Sequence, residues 1–218
     1  MSAEVASASG RRFDAVVFDL SGVVITSAFD AIADLVTGAE SREAALALLL
    51  GPYDEDTDHV WHRVERGEVP ITDWITWVSA ATAEAGVTVD WEGFGTMLGR
   101  LAVHEAVVDR VRSLRAEGYR TALCTNNVKE GSDAWRERIP VDELFDAVVD
   151  SSAVGLRKPD PRIYLHTLDL LGVEDPARAV FLDDHPGNVA GAERAGLTGL
   201  LVADPAEAMV ALDLLLSS

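Results

Sequence analysis

The chain has 218 residues, 48 % hydrophobic and 25 % charged, which is long and apolar enough to bury a core and excludes a disordered composition. A formal charge of −19, with lysine only at Lys129 and Lys158, excludes a nucleic-acid binder, because that affinity needs clustered Lys and Arg. No stretch is long and apolar enough to span a bilayer, the lone Cys124 has no internal disulfide partner, and the opening MSAEVASASGRR lacks a signal-peptide core; a cytoplasmic protein with no membrane partner and a frayed tail over residues 1–12 is expected.

In chain order, FDAVVFDL (Phe13 to Leu20) is short, β-branched and apolar and ends at Ser21-Gly22, so it reads as a buried strand followed by a tight turn. From Ser27 to Val103 the strand signal gives way to helical periodicity, and Trp61, Trp74, Trp77 and Trp91 all fall there. Thr72-Asp73 is the expected cap of the helix carrying Trp74 and Trp77, and the aromatics are expected to fill the core of a small bundle. A helix from about Glu105 to Glu117 stops at Gly118, ahead of a strand over Tyr119 to Cys124. Strands follow at Ala147 to Val149, Ala179 to Leu182 and Gly199 to Val202. Between and after them, helices run from Pro161 to Leu171, stopping at Gly172, and from Pro205 to Leu216 behind an Asp204 N-cap. The alternation predicts an α/β fold with a Rossmann-like parallel sheet flanked by helices, and a small all-helical cap inserted after the first strand. Residues 13–26 and 104–218 form the expected core domain and residues 27–103 the cap.

Four polar clusters stand at strand ends, where open parallel sheets bind ligands. Asp19, closing a strand buried on both faces, is costly unless paired, metal-bound or catalytic, although a lone Asp there also caps turns. Thr125, Asn126 and Asn127 offer a hydroxyl, amides and backbone N–H groups to an anion, and such residues are also common in turns. Lys158, beside Pro159, offers a fixed ammonium to a phosphate or a nucleophile; the plainer reading is a surface lysine. Asp183 and Asp184 repel one another, and a hard cation such as Mg²⁺ relieves that, the alternative being an N-cap for a helix starting near Gly187.

The order and spacing of these clusters, above all LRKPDPRIY followed by FLDDHPGN, resemble the signature motifs of the haloacid dehalogenase-like (HAD) hydrolase superfamily. The subgroup it resembles has a helical cap after the first motif and includes the N-terminal phosphatase domain of soluble epoxide hydrolases. The resemblance covers Phe13 to Ala203. It implies Asp19 as nucleophile and metal ligand, with the main-chain carbonyl of Ser21 and Asp184 as further Mg²⁺ ligands and Asp183 beside them directly or through water. Thr125, Asn126 and Lys158 would hold the phosphoryl group of a small phosphorylated metabolite, and Lys158 would also pair with Asp19.

Phosphatases of that superfamily carry an aspartate two residues after the nucleophile, as acid and then base; here Ser21 stands there. A serine has no accessible pKa for that work, and losing a positioned acid/base costs about 10²–10⁴ in rate. Reduced activity is expected, with release of the aspartyl-phosphate as the slow step. His185 is the one nearby side chain able to replace the base near neutral pH, the plainer reading being a loop histidine; His59 and His62 lack a third ligand for a metal. A weakened domain that binds phosphorylated ligands or regulates is the alternative, and dehalogenation a lesser one, since dehalogenases share the missing second aspartate but use no metal and do not resemble the Asp183-Asp184 pair. A phosphonate hydrolase needs a cap lysine, which residues 27–103 lack, and a nucleotide-binding domain needs a Gly-rich loop where only Gly22 is present.

Overall fold

The structure is a computed structural model that describes residues 10–218. The first nine residues of the expected tail lie outside the described residues, while at its end Arg11 packs over the Tyr119 ring and Arg12 over Phe13.

Strand β1 (Ala15–Phe18) leads by a tight turn into an insert made of α1 (Ala28–Asp34), β2 (Val36–Thr37), α2 (Arg42–Leu50), α3 (Val60–Glu65), α4 (Ile71–Ala85), β3 (Thr88–Val89) and α5 (Trp91–Arg100). The chain continues through α6 (Glu105–Ala116), β4 (Arg120–Thr125), α7 (Ser132–Arg136), α8 (Val141–Leu144), β5 (Ala147–Asp150) and α9 (Ser151–Val154). It closes with α10 (Pro161–Leu171), β6 (Ala179–Asp183), α11 (Pro186–Arg194), β7 (Thr198–Leu201) and α12 (Pro205–Leu216). The five longer strands form one parallel sheet in the order β5-β4-β1-β6-β7.

Successive strand residues point to opposite faces, so a strand apolar at every position needs a core on each side. Val16 and Phe18 of β1, with Val180 and Leu182 of β6, enter one core, against Val107, Val111 and Leu114 of α6 and Leu212 of α12. Ala15, Val17, Ala179 and Phe181 enter the other, against Ile163, Tyr164 and Leu168 of α10 and Ala192 of α11. The outer helices stop where expected: Gly172 takes the left-handed conformation after α10, and the Asp204 carboxylate accepts the N–H groups of Ala206 and Glu207 at the start of α12.

The insert has its own core of Ile32, Leu49, Leu50, Trp61, Val64, Trp74, Val78 and Met97. Trp74 is fully buried and its indole N–H donates to the Leu49 carbonyl at 2.8 Å, whereas Trp77 and Trp91 are over a third exposed, so only half of the insert's tryptophans fill its core. Two readings of this region change. The β-branched pairs Val36–Thr37 and Thr88–Val89 form a two-residue antiparallel ladder within the otherwise helical insert. The α4 helix starts at Ile71, with Pro70 at the cap position and Asp73 already in its first turn. Its end is closed from outside, because Ile71 N–H donates to the Glu130 carboxylate beyond β4 at 3.1 Å, so no local Thr-Asp cap is needed. Both ends of the insert are pinned to each other: Thr26 N–H donates to the Ala102 carbonyl, Ala102 N–H to the Thr26 hydroxyl, and His104 N–H to the Val24 carbonyl. Among the described residues, no helix is long and apolar enough to cross a membrane.

Candidate active site

The β1, β4 and β6 strands lie side by side, so parallel pairing brings their carboxyl ends, and the residues just beyond, to one edge. There the Lys158 ammonium, 1 % exposed, sits between two carboxylates, 2.7 Å from Asp19 Oδ1 and 2.6 Å from Asp183 Oδ2. Asp19 Oδ1 also accepts the N–H of Leu20 at 2.7 Å. Asp183 is saturated, since its two oxygens accept from the Asn188 amide and Oδ1 accepts the N–H of His185 as well. Asp184 differs: Oδ2 accepts the Ser27 hydroxyl at 3.0 Å, while Oδ1 is buried with no hydrogen-bond partner.

Each of Asp19, Asp183 and Asp184 offers an oxygen, the three lying within 4.8 Å of one another. Three carboxylates against one ammonium leave two uncompensated negative charges when all are ionised, the charge of one divalent cation. Burial pushes the Asp19 carboxyl well above the usual range, against the Lys158 ammonium and with Asp183 and Asp184 adding to the rise. Burial, then Asp183, raises Asp184 to about 6. Lys158 loses from burial and gains more from Asp183 and Asp19, which keeps it protonated. Hard oxygen donors, a partnerless buried oxygen and a double negative charge fit a hard cation.

Gly22 makes this packing possible. It has φ +77°, and a Cβ there would fall 1.9 Å from Asp184 Oδ2, so only glycine lets the turn after β1 come against that carboxylate.

The remaining predicted residues divide. Asn126 lines a small cavity over Asp19, together with Ser21, Lys158 and Asn188, and its side-chain amide is held by the Lys158 backbone, donating to its carbonyl at 3.0 Å and accepting its N–H at 2.8 Å. Thr125 is buried at the end of β4 with its hydroxyl toward the Asn126 carbonyl at 3.4 Å. The Ser21 hydroxyl oxygen accepts the Ala28 N–H at 2.7 Å, so it caps the first helix of the insert. His185 caps α11, its Nδ1 accepting the Gly187 N–H at 3.2 Å, and burial lowers its pKa. His59 caps α3, and His62 is fully buried with Nδ1 accepting the Thr57 N–H and its pKa held down to about 3 by burial, so both are structural.

Several side chains at the edge were not singled out from sequence. Asn188 lies in the first turn of α11 and grips Asp183; a polar residue there, after Asp-Asp, was the available signal. Phe29, Ile32, Leu50, Tyr53 and Trp61 of the insert close the cavity over Asp19. The Tyr53 hydroxyl donates to Glu65 Oε1 at 2.6 Å, and Glu65 Oε2 accepts from Arg157 Nε at 2.8 Å, a buried pair that joins the insert to the residue before Lys158.

A family model described as haloacid dehalogenase-like hydrolase matches residues 13–196. Bifunctional epoxide hydrolase 2 of Rattus norvegicus is 27 % identical over 210 residues, covering 88 % of this chain and 37 % of the rat protein, so the chain spans little more than a third of that relative. A phosphoglycolate phosphatase of Cereibacter sphaeroides is 31 % identical over 188 residues, covering 84 % of this chain and 81 % of the relative. In fold, the chain is similar to a HAD family enzyme of Bacteroides thetaiotaomicron solved as a magnesium complex (TM-score 0.61, 18 % identity, 88 % of this chain and 93 % of that one). It is also similar to an L-2-haloacid dehalogenase of Xanthobacter autotrophicus (TM-score 0.59, 22 % identity, 88 % and 78 %).

Proposed function

The chain belongs to the haloacid dehalogenase-like hydrolases, and from that premise we propose that it is a Mg²⁺-dependent phosphatase acting on a small phosphorylated metabolite through an aspartyl-phosphate on Asp19. Residues 27–103 are then a cap over the sheet edge. The observation that carries the reading is the charge arrangement: Lys158 bridges Asp19 and Asp183 while a buried oxygen of Asp184 has no partner beside them. The phosphatases among the relatives support the same chemistry.

Asp19, Asp184 and the Ser21 carbonyl would hold the cation, with Asp183, already saturated by Lys158 and Asn188, behind them. Bound there, Mg²⁺ supplies charge stabilisation to the phosphoryl oxygens. On Asp19, Lys158 and Leu20 both bond to Oδ1 and orient the carboxylate, with Oδ2 as the oxygen to attack phosphorus. An Asp19–phosphorus bond forms as the ester oxygen departs, and the Lys158 ammonium and Asn126 lie beside the transferring group. The leaving oxygen draws its proton from water, because Ser21 cannot give one at neutral pH and is engaged in capping α1. Water attack on phosphorus then frees Asp19. With no positioned base, this second step limits the rate.

Release of p-nitrophenol from p-nitrophenyl phosphate tests the reading, since that leaving group needs little acid help. Turnover that requires Mg²⁺ and vanishes in Asp19→Asn is expected; turnover unchanged by Asp19→Asn would sink it. The engaged Ser21 hydroxyl favours one second reading, a binding or regulatory protein, identified by silence of both native protein and Ser21→Asp while Mg²⁺ still binds. Dehalogenation is disfavoured by the partnerless Asp184 oxygen beside Asp19, a feature that chemistry does not call for.

A further inference from the structure

Beside the small cavity over Asp19 lies a larger one of about 780 Å³, within the range that holds drug-sized ligands. The insert forms one wall of it with Glu43, Leu46 and Leu50, and the loop after β6 forms another with Asp184 and His185. Phe29, Leu50 and Tyr53 line both cavities, so the two adjoin. A phosphoryl group over Asp19 therefore leaves the larger space to the organic part of the ester.

The chemistry of that wall is lopsided. Apolar surface comes from Phe29, Leu46, Leu50, Tyr53 and Val202, while Asp30, Glu43, Asp54 and Asp184 stand around it and, among the described residues, no lysine or arginine lines it. Among the described residues, Asp30 is the one of these four with an arginine at ion-pair distance, Arg42 at 2.9 Å. With Asp30 paired to Arg42 and Asp184 given to the cation under that reading, Glu43 and Asp54 are the carboxylates an anionic leaving group meets, and no lysine or arginine of the wall receives it, whereas an apolar one buries its surface against Leu46, Leu50 and Phe29.

We propose that the larger cavity takes the alcohol portion of a monophosphate ester whose alcohol is extended, apolar and free of anionic groups, and that it turns away esters whose alcohol carries a carboxylate or second phosphate. The placement of the phosphate rests on the phosphatase reading above; the selectivity rests on the wall.

Calorimetry on the full chain with Mg²⁺ present separates the two. Decylphosphonate, which has no ester bond to cleave, is compared with methylphosphonate and with a decylphosphonate carboxylated at its far end. Decylphosphonate is expected to bind at least about tenfold more tightly than either, through apolar burial on one side and charge repulsion on the other. Leu46→Trp, which narrows the cavity, is expected to weaken decylphosphonate about tenfold relative to methylphosphonate, and Glu43→Lys to narrow the gap to the carboxylated analogue by about threefold or more. Equal binding of decyl- and methylphosphonate, or of decylphosphonate and its carboxylated analogue, overturns the proposal. Turnover of p-nitrophenyl phosphate, measured alongside, keeps the failures apart. Absent turnover with the decyl preference intact overturns the reaction and leaves the cavity's selectivity standing, while turnover without the preference overturns the selectivity alone.

Discussion

At Ser21 the proposed reaction would call for a proton-transfer group, and the structure has an architectural side chain. Its hydroxyl oxygen accepts the Ala28 N–H at 2.7 Å, tying the turn after Asp19 to the first helix of the insert. An aspartate keeps an acceptor for that N–H and adds an acid/base, so Ser21→Asp is expected to fold and to raise turnover of p-nitrophenyl phosphate by about tenfold or more. A native protein as fast as this variant would show that proton transfer does not limit it. Gly22 tolerates no such change: a Cβ falls 1.9 Å from Asp184 Oδ2, and Gly22→Ala is expected to displace that carboxylate and abolish the Mg²⁺-induced rise in melting temperature. An undiminished rise would mean that Asp184 does not hold the cation. Asp19, Lys158, Asp183 and Asp184 were legible in sequence because each polar group interrupts or follows an apolar strand or rigid loop. Ser27 was not, since its partner Asp184 is 157 positions away and nothing local marks the pair.

Between elements, a buried ion pair ties the insert to the core beside the site. Arg157 is fully buried, Glu65 is 2 % exposed, and the Tyr53 hydroxyl bonds to the other Glu65 oxygen. Removing one partner strands a buried charge, so Glu65→Ala is expected to cost about 3–5 kcal/mol in urea unfolding. It is also expected to expose the insert to proteolysis before the sheet domain. A loss under 1 kcal/mol, about the worth of a surface pair, would mean that the pair is solvated and the insert is held by its other contacts. The sheet strands and the outer helices were readable from periodicity and terminal Gly, Pro and Asp residues, because those signals are local. The α4 start and the β2–β3 ladder were not, since Glu130 closes the former from another element and the latter is two β-branched pairs brought together by folding.

For the molecule as a whole, the acidic edge couples stability to pH and, under the proposed function, would couple it to metal. The Asp184 carboxyl, raised from 3.8 to about 6, keeps in the folded chain a proton that the unfolded chain releases earlier. Its contribution to stability is therefore present at low pH and lost as the pH rises through about 6, a decline of roughly 3 kcal/mol. A cation that replaces this proton binds more tightly above that pH, so saturating Mg²⁺ is expected to raise the melting temperature by several degrees near pH 7.5 and by less near pH 5. An equal rise at both values would place the cation elsewhere. The parallel sheet and its inserted helices were legible from the alternation of strand and helix patterns, whereas the cavities were not, since their walls join residues from the insert and from several separate loops of the core. The central claim is that Asp19 carries the phosphoryl group, and peptide mapping by mass spectrometry after acid quench during p-nitrophenyl phosphate turnover tests it most directly. Phosphate on the peptide holding Asp19, accumulating in the native protein and diminished in Ser21→Asp, is the predicted result; steady turnover with no phosphate on that peptide, undiminished in Asp19→Asn, would contradict it.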